Sequence, residues 1–78
     1  MVFGFEFKSP NLIYYESGSK TKEEAKSKLE EISRGHCEED SLAIGTVYCL
    51  DDGEFDMLEK YEIELKDGEI ILEALKLE

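Results

Sequence analysis

The sequence is poor in the residues on which most metal sites and catalytic sites depend. Its 78 residues contain one histidine, two cysteines, one proline and no tryptophan. A structural zinc site uses four Cys or His ligands, and His36, Cys37 and Cys49 are too few and too unevenly spaced to form one. No Gly-rich phosphate loop and no nucleophile motif is present. We therefore expect a protein that is not an enzyme and that has no metal and no cofactor.

Basic residues are scarce after Arg34. Residues 1–34 carry six acidic and six basic side chains, whereas residues 35–78 carry fourteen acidic and only three basic ones. The whole net charge of −11 therefore lies in the second part of the chain. Nucleic acids and anionic membranes attract positive surfaces, so this charge argues against direct binding of either. It favours a basic protein partner.

Long apolar runs are also missing. Met1–Phe7 lacks the basic flank of a secretory signal, and Glu6 interrupts it too early. No run approaches the length of a membrane span. Two cysteines without such a signal indicate a reducing compartment, so we expect a cytoplasmic protein with free thiols. The length predicts a single domain over residues 1–78.

Two Asp-Gly pairs divide the C-terminal part into three predicted strands. Asp52-Gly53 and Asp67-Gly68 each lie between alternating apolar residues, which is a strong signal for a two-residue hairpin turn. Counting outward from each turn gives the register, and the apolar partners then share one face. The predicted pairs are Leu50–Phe55, Tyr48–Met57, Ile44–Tyr61, Leu42–Ile63, Leu65–Ile70, Ile63–Leu72 and Tyr61–Ala74, with Glu59 opposite Lys76.

The N-terminal part predicts two strands and one helix. Val2–Lys8 alternates so that its three phenylalanines face the core, and Leu12–Glu16 is the returning strand. The segment 17–19 is predicted to be a loop. Thr21 and Glu24 fit a capping box, and a narrow apolar stripe of Ala25, Leu29 and Ile32 follows them. We expect a helix over 22–34 that ends at Gly35.

The predicted fold is therefore a two-layer α+β domain of order ββαβββ. An antiparallel sheet with a C-terminal three-stranded meander carries the helix on one face. In the predicted register that face presents Leu42, Ile44, Tyr61 and Ile63. The position of the N-terminal hairpin relative to the meander is left open.

The opposite face of the meander is the predicted partner surface. Val47, Leu58 and Leu77 form an apolar row there, and carboxylates surround it. An apolar centre with a polar rim is the usual anatomy of a protein interface. The alternative is that the N-terminal hairpin or a second copy of the chain covers this face. The candidate partner-binding residues are Asp51, Asp52, Glu54, Asp56, Glu62, Glu64, Glu73, Val47, Leu58, Leu75 and Leu77.

The acidic strands also fit a mimic of nucleic acid. Carboxylates at alternate strand positions, such as Glu62 and Glu64, lie about 6.6–7 Å apart, on the scale of phosphates along a strand. A row of them held on a sheet fits a site built for DNA or RNA. The alternative is that the charge has no binding function and only keeps a small protein soluble.

The middle of the chain resembles a family of phage proteins. A Glu-Glu-Ala-Lys helix (Glu23–Lys26), Gly45-Thr46-Val47 on a strand and then an Asp-Gly turn resemble the layout of some anti-CRISPR inhibitors over roughly residues 20–53. Many small phage inhibitors of CRISPR or restriction systems are acidic nucleic-acid mimics, although the type I layout most similar to this one is not acidic. The resemblance implies no site residue.

Two classes of function follow from the sequence. The first is an acidic binding protein, an inhibitor from a phage or mobile element that occupies the basic site of a nucleic-acid-binding complex. The second is a structural or assembly protein that homodimerises through the outer sheet face, or an accessory subunit of a larger complex.

Overall fold

The computed structural model describes residues 1–76, which form five strands and one helix. The strands make one open antiparallel sheet in the order β2-β1-β3-β4-β5. This confirms the α+β class and the order ββαβββ. The elements are β1 (Val2–Lys8), β2 (Ile13–Ser19), α1 (Lys22–His36), β3 (Leu42–Asp51), β4 (Glu54–Lys66) and β5 (Glu69–Leu75).

The N-terminal hairpin extends the meander edge to edge. β1 runs antiparallel to β3, with Phe5 opposite Val47, and its other edge pairs with β2. The hairpin therefore lies in the plane of the meander and covers neither of its faces. β2 is longer than predicted, because segment 17–19 belongs to the strand and contains a bulge at Gly18 (φ 110°). The predicted loop there is wrong.

Both Asp-Gly turns have the predicted conformation. Asp52 and Gly53 have φ of 47° and 82°, and Asp67 and Gly68 have φ of 52° and 78°. Two successive positive φ values define the tight turn whose twist matches that of the flanking strands. The pairs Leu50–Phe55, Tyr48–Met57, Leu65–Ile70, Ile63–Leu72 and Tyr61–Ala74 are confirmed. The predicted Glu59–Lys76 pair falls one step beyond Lys60–Leu75, the last pair of the β4–β5 ladder.

A bulge at Leu58 breaks the predicted register between β3 and β4. Tyr48 pairs with Met57 and Val47 pairs with Glu59, so Leu58 has no partner on β3. Because of the extra residue, each side chain of β4 after Leu58 points to the face opposite the one it would have in an unbroken strand. The predicted pairs Ile44–Tyr61 and Leu42–Ile63 are therefore wrong, and the observed pairs are Ile44–Glu62 and Leu42–Glu64.

The bulge changes which residues of β3 face the helix. Ala43, Gly45 and Val47 point towards α1, and the predicted Leu42 and Ile44 do not; Leu42 is 54% exposed. The prediction is confirmed on β1, where Phe5 and Phe7 are in the core and Phe3 packs against it, and on β4 after the bulge, where Tyr61 and Ile63 are in the core. It is wrong on β4 before the bulge, because Phe55 and Met57 lie on the other face. The core residues are Phe5, Phe7, Ala25, Leu29, Cys37, Ala43, Val47, Tyr61 and Ile63.

The helix begins as predicted and ends later. The Thr21 hydroxyl accepts a hydrogen bond from the Glu24 N–H (3.0 Å), as the capping box predicts. The Glu24 carboxylate accepts its bond from the Lys20 N–H (3.3 Å) and not from the predicted Thr21 N–H. The helix continues through Gly35, so the predicted stop there is wrong. It ends where Cys37 becomes extended and donates its N–H to the Ser33 carbonyl at 2.9 Å.

Candidate functional site

The sheet face opposite α1, which we call the outer face, is not covered by any helix or strand within residues 1–76. Contiguous apolar side chains that remain exposed mark a binding surface. Six large apolar side chains of the outer face are between 45% and 70% exposed, and Tyr15, Phe55 and Met57 among them line a common groove. The six are Ile13, Tyr15, Leu42, Phe55, Met57 and Ile71.

A groove of about 320 Å³ lies among these side chains, and we call it the aromatic groove. The rings of Tyr48 and Phe55 form one part of it, with centroids 5.0 Å apart and planes inclined by 32°. Its volume is at the lower end of the range of ligand sites, about 300–1,000 Å³. The groove is lined by Glu6, Tyr15, Thr46, Tyr48, Leu50, Phe55 and Met57.

The floor of the aromatic groove depends on Gly4. A Cβ at Gly4 would lie 2.6 Å from the Tyr48 hydroxyl and 2.6 Å from the Glu16 carbonyl oxygen. The Tyr48 ring therefore lies against bare backbone, and its hydroxyl donates a hydrogen bond to the Glu16 carbonyl at 3.4 Å. Burial raises the pKa of Tyr48, and the negative charge of Glu6 raises this pKa further. Tyr48 is thus a fixed, neutral part of the groove.

Glu6 is the one charged residue that lines the aromatic groove. In the sheet it lies between Tyr15 on β2 and Thr46 on β3. No salt bridge within residues 1–76 involves its carboxylate. The groove therefore combines apolar walls with one half-buried, unpaired negative charge.

A second groove continues the aromatic groove across the sheet. Its volume is about 480 Å³, and it shares Glu6, Thr46 and Met57 with the first. Lys8 and Lys60 line it, so this end is of mixed charge. The two grooves together form one uncovered depression on the outer face.

Three predicted site residues lie together at one corner of the outer face. Glu62 pairs with Glu73, and Glu64 follows two positions along β4. We call Glu62, Glu64 and Glu73 the acidic corner. Like charges directly opposite one another destabilise a sheet, and no salt bridge within residues 1–76 offsets this pair. Leu75 also lies on this face and is half-buried.

Four predicted acids lie elsewhere. Asp51, Asp52, Glu54 and Asp56 are all exposed and surround the β3–β4 turn at one end of the sheet. Asp51 lies 4.0 Å from the N-terminal amino group. They form a separate acidic tip and do not border the acidic corner.

The predicted apolar row is not formed. Val47 has no exposed surface and belongs to the core under α1, so its assignment to the outer face is wrong. The bulge is the cause, because it removes Val47 from the register that placed it beside Leu58. Leu58 is half-buried at the bulge itself. Leu77 lies outside the described residues.

Sequence reasoning missed the residues that form the aromatic groove. It placed Tyr48, Leu50, Phe55 and Met57 beneath the helix, although it paired them correctly. The alternation of β4 carries no sign of the bulge: Phe55, Met57, Tyr61, Ile63 and Leu65 all occupy odd positions, which an unbroken strand would place on one face. The bulge at Leu58 divides them between the two faces of the sheet.

The described residues offer little for metal or thiol chemistry. Within residues 1–76 no group of three or more His, Cys, Asp or Glu side chains is arranged to hold a metal ion. Cys37 and Cys49 are free and buried. Burial raises the pKa of the Cys37 thiol, which makes it a poor nucleophile.

No protein-family model, curated protein or solved structure gave a significant match to this chain. None of the helices within residues 1–76 has the length and apolar character needed to cross a membrane. Any assignment of function therefore depends on the outer face itself.

Proposed function

We propose that this chain is a non-enzymatic binding protein whose outer face binds a basic region of a partner protein. One observation carries the proposal: an uncovered apolar groove lies on the same face as carboxylates that have no cationic partner within residues 1–76. Interfaces combine a desolvated apolar centre with a polar rim in this way. The net charge of −11 selects basic partners and repels acidic ones.

The partner class that fits best is a nucleic-acid-binding protein or complex. Such proteins present clustered Lys and Arg side chains that bind phosphates. The acidic corner places three carboxylates on two adjacent strands, where the sheet holds their backbone positions. By occupying a partner's basic site, the chain would act as an inhibitor of nucleic-acid binding.

The competing function is self-association through the same apolar face. Two copies meeting there would bring together two chains of −11 each, and the two grooves would place Glu6 of each copy near the contact. Mutual repulsion opposes this dimer at low salt and weakens as salt screens it. A basic partner is therefore favoured over a second copy.

The test compares two triple variants of equal charge change. The outer variant carries Glu62→Lys, Glu64→Lys and Glu73→Lys. The control variant carries Glu16→Lys, Glu23→Lys and Glu31→Lys, at exposed positions on β2 and α1, on the helix side of the sheet. Partners captured on immobilised wild-type protein are identified, and the association rate of the purified partner is then measured for each variant at low and high salt.

We expect the outer variant to associate about tenfold or more slowly than wild type at low salt, because charge steers encounter. The control variant should change the rate much less. Equal association by wild type and the outer variant would contradict the proposal. So would a partner that is acidic, or light-scattering evidence that the chain dimerises and binds nothing else.

A further inference from the structure

We propose that the aromatic groove holds the side chain of an arginine from the basic partner. The guanidinium group would lie against the Glu6 carboxylate, with Tyr15 and Phe55 at its sides and Tyr48 beneath it. This inference rests on the proposed function and specifies its central contact. It concerns the groove, whereas the test above concerns the acidic corner.

The walls of the groove suit a flat cation. Tyr15 and Phe55 are 70% and 56% exposed, so their rings are available to a ligand. Guanidinium groups stack on aromatic faces and are attracted by the negative face of the ring. The three-carbon stem of arginine is apolar, and Leu50 and Met57 provide apolar contacts for it.

The single charge that lines the aromatic groove determines the sign of the charge that a ligand must carry. Glu6 is half-buried and no Lys or Arg side chain within residues 1–76 forms a salt bridge with it. A half-buried carboxylate without a partner gains more from a cation than an exposed one does, because the surrounding dielectric constant is lower. Lys8 and Lys60 line the second groove, which Glu6 also borders, but neither lysine lines the aromatic groove or forms a salt bridge with Glu6.

The groove is formed before any ligand binds. The Tyr48 ring is fixed by its contact with Gly4 and by its hydrogen bond to the Glu16 carbonyl, and it packs on Phe55. A Tyr48 ring that is already fixed reduces the entropy that is lost on binding. Arginine, together with tyrosine and tryptophan, is enriched among the residues that dominate interface energies, so one such contact can anchor a partner.

The experiment uses defined probes and requires no partner. The ¹⁵N-labelled protein is titrated with N-acetyl-arginine amide and, separately, with uncharged N-acetyl-norleucine amide, and amide shifts are followed. We expect saturable shifts at Glu6, Tyr15, Tyr48 and Phe55 with the arginine probe, with a Kd on the order of millimolar for so small a ligand. The norleucine probe should bind at least about fivefold more weakly.

Two matched variants test the role of the carboxylate. Glu6→Gln keeps the shape of the groove and removes its charge, and we expect it to weaken arginine binding about fivefold or more. Glu62→Gln removes one charge from the same face but outside the groove, and we expect no change. An unaltered spectrum elsewhere shows that each variant is folded. Phe55→Leu provides a second test that leaves the charge intact and removes one ring.

Three results would overturn the inference. Equal binding of the two probes would show that the groove selects only apolar groups. Equal weakening by Glu6→Gln and Glu62→Gln would show a diffuse response to charge. Arginine shifts spread over the acidic tip and corner, with none in the groove, would show that the site lies elsewhere.

The two proposals can fail separately. If the arginine probe fails but the outer triple variant slows association with a basic partner, the proposed function stands without this anchor. If the probe binds in the groove but no basic partner depends on the outer face, the groove is an arginine site and the proposed function is wrong.

Discussion

The Leu29 side chain lies directly over Gly45, at a point where any side chain on β3 would collide with it. A Cβ at Gly45 would be 2.7 Å from a Leu29 methyl carbon and 2.7 Å from a methyl carbon of Ile63. The helix therefore approaches the sheet closely at this point because β3 has no side chain there. Leu29 has no exposed surface as a result.

Gly45→Ala should destabilise the fold by about 1–3 kcal/mol, because the added methyl group must displace two packed side chains. Gly35→Ala is the matched control. Gly35 lies inside α1, where an added methyl group would meet no neighbouring side chain within 4 Å, and alanine favours the helix. That change should stabilise the protein by about 0.4–1 kcal/mol. Urea unfolding followed by circular dichroism measures both.

Leu29→Ala should cost about 2–5 kcal/mol, as truncation of a fully buried leucine does. For so small a protein this is a large part of the total stability, and the variant could be largely unfolded. Glu31→Ala, at an exposed position of the same helix, should stay within about 0.5 kcal/mol of wild type. Equal stability of the two variants would show that α1 does not pack through Leu29.

Tyr61 should make stability fall at alkaline pH. Burial, together with the hydrogen bond that its hydroxyl donates to the Glu59 carboxylate (2.7 Å), raises the pKa of Tyr61 from 10.0 to about 12. The folded state thus holds this proton more tightly than the unfolded state. Its stabilising contribution is complete below about pH 10 and is lost as the pH rises towards 12.

The measurement is the free energy of unfolding of wild type and Tyr61→Phe at about pH 9 and about pH 11. Wild type should lose more stability between these values, because the variant lacks the titrating hydroxyl. The two proteins differ only in this hydroxyl, so the difference isolates Tyr61. A parallel decline of the two proteins would mean that Tyr61 ionises alike in both states.

Cys37 and Cys49 should react slowly with a thiol reagent in the native protein. Each is only 7% exposed, and burial raises the pKa of Cys37, which lowers its thiolate fraction. Denaturation without reductant should release two reactive thiols. Fewer than two in freshly purified protein would show that they had been oxidised or modified.

The sequence predicts those parts of the fold that depend on local chemistry. The Asp-Gly turns, the capping box at Thr21 and the alternation of β1 each concern residues that lie close together in the chain. The helix end differs, because Cys37 is held by tertiary packing and Gly35 does not need a positive φ.

The outer face was harder to predict, because its composition depends on one residue of register. A two-residue turn determines the pairing of the residues near it. The β3–β4 pairs that are predicted by counting from the turn are correct as far as Tyr48–Met57. Beyond Leu58 the same count selects the wrong partners on β3. The acidic corner was nevertheless predicted, since it depends only on the regular β4–β5 ladder. The aromatic groove was not, since it requires β1 beside β3.

The bulge has a consequence for the length of the chain. Losing a residue from within a regular strand turns every later side chain to the other face. Leu58 is different, because its neighbours Met57 and Glu59 already pair with the consecutive residues Tyr48 and Val47. A 77-residue chain lacking Leu58 would keep each of these pairs in an unbroken ladder. Position 58 is therefore a point at which this sheet can tolerate a deletion of one codon without exchanging its buried and exposed sides.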